Sequence, residues 1–256
     1  QMVARGYQEA VTYSFVAPEL QKALMPEAVS PVLANPISAD LSVMRASLFP
    51  GLVRALEHNL NRQQTRVRLF ETGLVFRGEL DELQQIPMLG ALVCGSREPE
   101  GWASGRDRVD FFDLKGDLES LLAMGGEPDA WRFEPALHPA LHPGQCARIL
   151  HRGEEAGWIG ALHPAVRAEL GLKTEALLFE VRLDALTHGR VPAFTPLSRF
   201  PEVRRDLAFL IDEAQPVQAL LDTLRRQAGE WLTECRLFDV YQGKGVPEGR
   251  KSVALA

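Results

Sequence analysis

Hydrophobic positions recur at the spacing of a helix in the stretch that follows Ser47. Apolar residues stand at positions 48, 52, 53, 56 and 60, and the polar residues Arg54, Glu57, His58 and Asn61 lie on the other face. Intervals of three and four residues place the apolar side chains on one face of a helix. With Ser47 as a candidate N-cap and Pro50 in the first turn, the pattern predicts an amphipathic helix. Other stretches that predict helices are a short one beginning at residues 17–19, then residues 111–122, 165–170 and 217–228.

Elsewhere the chain shows the alternation or the continuous apolar character of strands. β-Branched and aromatic residues fill positions 10–16, which predicts a paired strand. The run at residues 88–95 is apolar almost throughout, as expected for a central strand covered on both faces. Further strands are predicted at residues 67–71, 74–77, 147–151, 155–162 and 176–181. The larger part of the chain is therefore a sheet-rich α+β module.

A segment punctuated by prolines follows Gly189 and predicts an interdomain linker, with Pro192, Pro196 and Pro201 along it. Beyond it the pattern gives a strand (205–211), a helix (217–228), a strand (233–241), a glycine-bearing turn (243–249) and a final strand. This β-α-β-β order is the first part of a ferredoxin-like domain. We therefore expect a module at residues 1–190, a linker at 191–198 and a partial ferredoxin-like domain at 199–256.

Composition places the chain among ordinary soluble proteins. No run approaches the roughly 18–20 apolar residues that cross a bilayer, and three cysteines without a close pair support neither a disulfide framework nor a zinc site. We therefore expect a cytoplasmic protein without a membrane partner. The formal net charge of −6 argues against a uniformly basic surface that binds nucleic acid. Because the chain begins with Gln1 and stops within an apolar run, we also expect a piece of a longer protein.

Several short motifs occur in an order that is specific to one family. In chain order they are residues 6–15, 35–38, 44–52, 68–77, 113–116 and 163–164. Together they resemble the catalytic-like module of bacterial phenylalanyl-tRNA synthetase beta subunits, over residues 1 to about 190. The stretches at residues 199–206 and 237–243 are similar to the start of the family's ferredoxin-like anticodon-binding domain.

The resemblance implies a class II synthetase fold, which is an antiparallel sheet with flanking helices, followed here by the partial ferredoxin-like βαββ domain. It also implies a partner, the catalytic alpha subunit of an α2β2 enzyme that joins phenylalanine to tRNA(Phe) with ATP and Mg²⁺. The active site would lie in that alpha subunit. This chain would pair with it through residues 10–16 and 47–61, and would help to bind the tRNA.

Phosphate-binding arginines decide whether the chain could itself be catalytic. Active subunits of this class hold ATP with one arginine in the second class motif and another in a glycine-rich third motif, because guanidinium groups bind phosphate oxygens bidentately. Arg77 stands at the first position, but the turn at residues 78–83 is short and acidic, and acidic loops repel ATP. The third position, residues 178–186, has no glycine and offers only Arg182. We therefore expect no catalytic residue and no cofactor bound to this chain, with Arg77 as a vestigial motif position.

Two groups of candidate metal ligands are also weak. His138 and His142 stand four residues apart, but the intervening proline prevents a continuous helix. Glu79, Asp81 and Glu82 could ligate Mg²⁺ through hard oxygen atoms, yet such a charge run on a tight turn is usually solvated. We therefore expect no metal site.

Cationic and aromatic residues gather in the last domain and are the candidate tRNA contacts: Arg199, Arg204, Arg205, Tyr241, Lys244, Arg250 and Lys251. A cationic sheet edge could grip phosphates while Tyr241, with Phe238 nearby, stacks a base. Against this interpretation, Phe238 could be a core residue, and Arg204 alternating with Asp206 equally fits a solvated strand. Two other functions stay open: a self-sufficient, diverged class II ligase, and an RNA-binding module unrelated to aminoacylation.

Overall fold

The computed structural model describes residues 1–191, 193–194, 196 and 199–256. These residues fall into two compact units, Gln1–Ala193 and Phe194–Ala256. The predicted linker at 191–198 includes four residues that lie outside the described ones: Pro192, Thr195, Leu197 and Ser198. The domain limits expected at residues 190 and 199 therefore stay predictions.

The first unit is built on a large sheet. Its strands within the described residues are β1 (Gln8–Glu9), β2 (Phe15–Val16), β3 (Val43–Met44), β4 (Val67–Arg77), β5 (Gln84–Cys94), β6 (Trp131–Pro135), β7 (Leu141–His151), β8 (Glu154–Leu162) and β9 (Ala176–Arg182). Seven of these form one sheet in the order β1-β4-β5-β9-β8-β7-β6, and β2 pairs with β3. Neighbours in the large sheet are antiparallel, except that β1 runs parallel to β4. The predicted α+β class with an antiparallel sheet is confirmed.

Helices flank this sheet on both faces: α1 (Pro18–Leu24), α2 (Phe49–Asn61), α3 (Phe111–Leu122), α4 (Pro164–Glu169) and α5 (Leu183–Thr187). Leu24 of α1 and Leu52 of α2 pack with Leu92 in one buried cluster, and Leu118 of α3 packs with Phe179 in another. Burying each such side chain contributes about 1.5–3 kcal/mol, so packing on both faces is a main source of stability. No helix among the described residues is long and apolar enough to cross a bilayer.

Strand β5 runs through the middle of the sheet and confirms the prediction of a strand covered on both faces. Leu89 and Ala91 face the cluster under α3, and Leu92 faces the cluster under α2. Gly90 lies on the α2 face, where an added Cβ would stand 3.2 Å from side-chain atoms of Leu48. Glycine at this position therefore allows α2 to pack close to the sheet.

Helix α2 forms as predicted but begins differently. Its N-cap is Leu48, which makes no capping bond through its side chain. The predicted cap, Ser47, accepts the backbone N–H of Phe49 at 3.0 Å, and its hydroxyl donates to Glu180 on β9 at 2.8 Å. Ser47 therefore ties the start of the helix to the sheet.

Two strand predictions are wrong in extent. Residues 10–16 do not form one strand, because β1 ends at Glu9 and β2 begins at Phe15. Between them the backbone N–H of Thr12 bonds to the Glu71 side chain at 3.4 Å instead of to a neighbouring strand. Residues 67–71 and 74–77 instead form the single strand β4, since every residue from 67 to 77, including Gly73, pairs with β5. Strand β6 and helix α5 are absent from the prediction.

The second unit has the predicted β-α-β-β order. Within its described residues it contains β10 (Leu207–Asp212), α6 (Val217–Ala228), β11 (Leu237–Tyr241) and β12 (Arg250–Leu255). The strands form an antiparallel sheet in the order β10-β12-β11. Val253 and Leu255 of β12 are buried, and Leu224 of α6 lines a cavity together with Leu255. Helix α6 therefore covers one face of this sheet, as the ferredoxin-like prediction requires.

Strands β10 and β11 both start later than predicted. Strand β10 begins at residue 207 instead of 205, and β11 begins at residue 237 instead of 233. The residues before these strands use their side chains locally: Arg204 pairs with Asp206 at 3.3 Å, and the Thr233 hydroxyl donates to Glu202 at 3.0 Å. Arg204 and Arg205 consequently precede the sheet rather than forming part of it.

Candidate functional site

Arg77 is the last residue of β4, and its bonds are to the protein itself. Its Nε donates to the backbone carbonyl of Ala46 at 3.3 Å, and its Nη2 lies 3.9 Å from Oε1 of Glu180. The Arg77 side chain is 43% exposed. The guanidinium group is therefore oriented by a backbone oxygen and a neighbouring carboxylate, the contacts of a structural arginine.

Glu180 serves the start of α2. It is 5% exposed, and Oε2 accepts both the hydroxyl of Ser47 and the backbone N–H of Leu48. Burial raises the pKa of the Glu180 carboxyl, while the bonds from Leu48 and Ser47 act in the opposite direction. The carboxylate next to Arg77 is therefore already engaged in holding a helix on the sheet.

A cavity of about 370 Å³ opens beside Arg77 and has aromatic walls. His138 stands in this wall, with its ring 6.0 Å from that of Phe49 and 5.0 Å from that of Trp158. Burial, and secondarily the charge of Arg77, lowers the pKa of His138 to about 4. His138 is therefore a neutral, packed ring near pH 7.

The histidines considered as metal ligands serve local turns. Nδ1 of His138 accepts the backbone N–H of Ala140 at 3.2 Å, and Nδ1 of His142 accepts that of Gly144 at 3.0 Å. Among the described residues, no group of three histidine, cysteine, aspartate or glutamate side chains has the arrangement of a metal site.

Arg182 occupies the other arginine position considered for nucleotide binding. Its Nε donates to Asp184 at 3.0 Å and its Nη2 to the other oxygen of the same carboxylate. Arg182 lines a cavity of about 450 Å³ together with Arg77, Glu155, Glu180 and Asp184. Arg182 lies beside Asp184 there and Arg77 beside Glu180, so the cavity has no excess of positive charge to attract a phosphate group.

A buried ion pair between Arg45 and Glu71 of β4 is absent from the sequence-based predictions. Nη1 of Arg45 lies 2.7 Å from Oε1 of Glu71, and the two side chains are 3% and 4% exposed. The Thr12 hydroxyl donates to the other oxygen of Glu71 at 2.7 Å. At Gly73, an added Cβ would stand 2.2 Å from Nη2 of Arg45. The pair fixes the segment around Thr12 to β4, and its partners stand too far apart in sequence for a local pattern to reveal them.

The candidate tRNA contacts of the second unit fall at two ends of the sheet. Antiparallel pairing sets Leu207 opposite Leu255 and Asp212 opposite Arg250. Arg204 and Arg205 therefore lie at the end where β10 begins, and Arg199 lies earlier in the chain. Tyr241, Lys244, Arg250 and Lys251 lie at the other end, where β11 ends and β12 begins. At about 3.4 Å per residue, the ends of β10 are roughly 17 Å apart.

Several of these cations have partners within the unit. Arg250 pairs with Asp212 at 3.1 Å, and Lys251 donates to the backbone carbonyl of Glu213 at 2.8 Å. The Tyr241 hydroxyl donates to the carbonyl of Lys244 at 3.3 Å. Lys251 also shares the covered face with Val253, since side chains alternate along β12.

Two aromatic rings of β11 are accessible. Phe238, near the start of β11, is 47% exposed, and Tyr241, at its end, is 46% exposed. Tyr241 and Arg250 lie on the sheet face opposite α6, because Tyr241 pairs with Ser252 and Arg250 is two residues from it. The geometry thus brings a ring and a cation together at one end.

Comparison with known proteins gives consistent matches along the chain. Residues 1–183 match the family described as the phenylalanyl tRNA synthetase beta chain CLM domain, and residues 198–256 match the ferredoxin-fold anticodon binding domain. The chain is 58% identical over 254 residues to the phenylalanine–tRNA ligase beta subunit of Pseudomonas fluorescens, and 49% identical over 255 residues to that of Nitrosococcus oceani. Each alignment covers 99% of this chain and 32% of the relative. The chain therefore spans about a third of the length of these curated relatives.

Proposed function

Because the chain belongs to the phenylalanyl-tRNA synthetase beta chain family, we propose that it is a non-catalytic part of phenylalanine–tRNA ligase. In this proposal the chain pairs with a catalytic alpha subunit in an α2β2 assembly and helps to bind tRNA(Phe) in the cytoplasm. The assembly attaches phenylalanine to the tRNA, and ATP and Mg²⁺ bind at the alpha subunit.

The observation that carries the non-catalytic part of the proposal is the pairing of the two motif arginines. Arg77 donates to the Ala46 carbonyl and lies beside Glu180, and Nε and Nη2 of Arg182 are both bound by Asp184, so each arginine is oriented by partners within the chain. A catalytic site of this kind also needs a sheet surface that is free to hold its substrate. Leu89 of β5 is instead buried under α3.

Pairing with an alpha subunit is supported by the exposed segment between β1 and β2. Val11 is 92% exposed and Tyr13 is 68% exposed there. Helix α2 would contribute to the contact differently, because its apolar face is buried and it exposes polar residues such as Arg54 to solvent. We propose that Val11 and Tyr13 supply the apolar centre of the contact and that α2 supplies a polar rim.

The part in tRNA binding is assigned to the second unit, with Tyr241, Lys244 and Arg250 as its centre. The accessible ring of Tyr241 offers a stacking surface, and the neighbouring cations can meet phosphates. Lys251 is a less exposed member of this group. Arg204 and Arg205 belong to a separate contact at the opposite end of the sheet, and Arg199, earlier in the chain, is a further candidate contact.

The test uses the complete beta chain, purified alone and with its alpha subunit. We expect the beta chain alone to give no phenylalanine-dependent exchange of pyrophosphate into ATP, and the pair to charge tRNA(Phe). Exchange by the beta chain alone would favour a self-sufficient ligase. Failure of the pair to charge tRNA would favour an RNA-binding module unconnected with aminoacylation.

A further inference from the structure

An open cleft of about 790 Å³ lies in the first unit, where the start of the chain and the start of β4 meet α3. Its inner wall carries three arginines, Arg5, Arg66 and Arg68. Nη2 of Arg66 and Nη2 of Arg68 both donate to the backbone carbonyl of Arg97, at 3.2 and 3.3 Å. Nη1 of Arg68 and Nη1 of Arg5 each lie 2.8 Å from an oxygen of Asp117. The three guanidinium groups are therefore immediate neighbours.

Asp117 is the carboxylate that Arg5 and Arg68 share, and both of its oxygens already accept hydrogen bonds. Besides Arg5 and Arg68, it accepts the hydroxyl of Tyr7 at 2.8 Å, and it is 7% exposed. Burial, together with Asp117, raises the pKa of Tyr7, which keeps the hydroxyl protonated and donating. Asp117 thus neutralises one of the three cations and leaves the inner wall with an excess of two positive charges.

Arg66 is the least compensated of the three. Its Nε is buried and makes no hydrogen bond within the described part of the chain. Burial, and then the charge of Arg68, lowers the pKa of Arg66. A buried donor without a partner costs about 1–3 kcal/mol, so this side chain is held where folding alone does not favour it. Within the described part of the chain no carboxylate forms an ion pair with Arg66, in contrast to Arg5 and Arg68, so its charge is available to an anion in the cleft.

The outer rim of the cleft limits the size of that ligand. Arg97 there faces three carboxylates, those of Asp107, Asp110 and Asp113, at 4.0, 3.5 and 2.9 Å. Glu98 adds a further acid. The positive region is therefore confined to the inner wall, and it suits one anionic group rather than a long polyanion.

We propose that Arg5, Arg66 and Arg68 form a binding site for a single phosphate group, supplied by an RNA chain or by a small phosphate compound. Guanidinium groups match phosphate because their N–H donors form a fork that meets two oxygens at once. The excess of two positive charges fits a phosphate monoester, which carries about −1.5 to −2 at neutral pH. This site is separate from the tRNA contacts proposed for the second unit.

The first experiment compares phosphate binding by the complete beta chain, in the assembly in which it purifies, with that of its Arg66→Gln variant. Titrated with inorganic phosphate and followed calorimetrically, the variant should bind about tenfold more weakly, equivalent to about 1.4 kcal/mol. Arg66→Lys should keep part of the affinity because it keeps the charge. Arg152→Gln is the matched control, since Arg152 is exposed, pairs with Glu127 and does not line the cleft, and it should bind like the unmodified chain.

A second measurement separates binding from folding. Arg66→Gln removes one hydrogen bond, from Nη2 to the Arg97 carbonyl, and also removes the buried Nε that has no partner, so the thermal unfolding midpoint should stay nearly unchanged. A clearly lower midpoint would show that Arg66 stabilises the fold and would overturn the proposal. Equal phosphate affinity in the variant and the unmodified chain, or no affinity in either, would overturn it as well.

The source of the phosphate is decided with RNA carrying or lacking a 5′-phosphate. If the RNA supplies the group, Arg66→Gln should weaken RNA binding and reduce the slope of log K against log salt by about 1. If only inorganic phosphate binding changes, the site takes a small phosphate compound. Both outcomes support the phosphate chemistry, and neither depends on charging activity.

Discussion

Strand β4 contributes to two arginine–glutamate pairs on the same face of the sheet, and the two differ sharply. Glu71 meets Arg45 at 2.7 Å with both side chains buried, whereas Arg77 lies 3.9 Å from Glu180 and is 43% exposed. Removing one partner of a buried pair leaves an unpaired charge in the interior, while exposed pairs contribute little. The first pair therefore stabilises the interior of the first unit, and the second contributes little to its stability.

The largest effect is expected for Glu71→Gln. Arg45 would stay buried without its carboxylate, which costs about 3–5 kcal/mol, and urea denaturation of the purified chain would measure the loss. Glu57→Gln is the control, because its partner Arg54 is exposed, and it should change the free energy of unfolding by less than about 1 kcal/mol. Equal losses in the two variants would remove the distinction between the buried pair and a surface pair.

A smaller change in the free energy of unfolding is expected when His138, which lies beside Arg77, becomes protonated. Its pKa is lowered from 6.5 to about 4, so the unfolded chain binds more protons between these values. The stability that this histidine contributes is then fully present above pH 6.5 and is lost as pH falls toward 4, by up to about 3 kcal/mol at about 1.4 kcal/mol per pKa unit. Denaturation at pH 4.5 and pH 7 should show this loss, and His138→Gln should reduce it. Replacing the exposed His58 should not.

Ser47→Ala tests whether Glu180 serves α2. The variant removes the 2.8 Å bond to the buried carboxylate and should cost about 1–3 kcal/mol. Ser42→Ala is matched to it, since the Ser42 hydroxyl makes an exposed bond to Ala39. If both variants unfold at the same urea concentration, Glu180 does not depend on Ser47.

The smallest effect on stability is expected for Arg77→Gln, within about 0.5 kcal/mol, because the side chain is half exposed and its ion pair is long. Its effect on a neighbour should be visible instead. Arg77 helps to lower the pKa of His138, so the variant should raise that pKa in an NMR titration. An unchanged His138 titration would contradict the placement of Arg77 beside that ring.

Sequence patterns predicted the elements whose side chains follow a local period. The helices α2, α3 and α6 and the two-sided strand β5 belong to this group, since spacing alone decides which face is buried. The segment at residues 10–16 was mistaken for one strand because its Thr12 is held by Glu71, a contact made only in the folded chain. The Arg45–Glu71 pair was missed for the same reason.

The candidate sites show a similar limit. Arg77 was identified at a motif position, and its partner Glu180 lies about a hundred residues further on, where no spacing rule connects them. The sequence predicts the seven candidate tRNA contacts as one group. In the structure, antiparallel pairing of β10 with β12 places Arg204 and Arg250 at opposite ends of the sheet. No local pattern connects the cleft arginines, because Arg5 and Arg68 share Asp117, which is far from both in sequence.

Calorimetric titration of the complete beta chain with ATP and Mg²⁺ tests most directly the claim that the Arg77 position no longer binds nucleotide. We expect no saturable heat that depends on Arg77, so that the unmodified chain and Arg77→Gln give the same isotherm. Any binding heat from the phosphate site proposed at the cleft should instead be weakened in Arg66→Gln. Saturable ATP binding that is lost in Arg77→Gln and kept in Arg66→Gln would contradict the account.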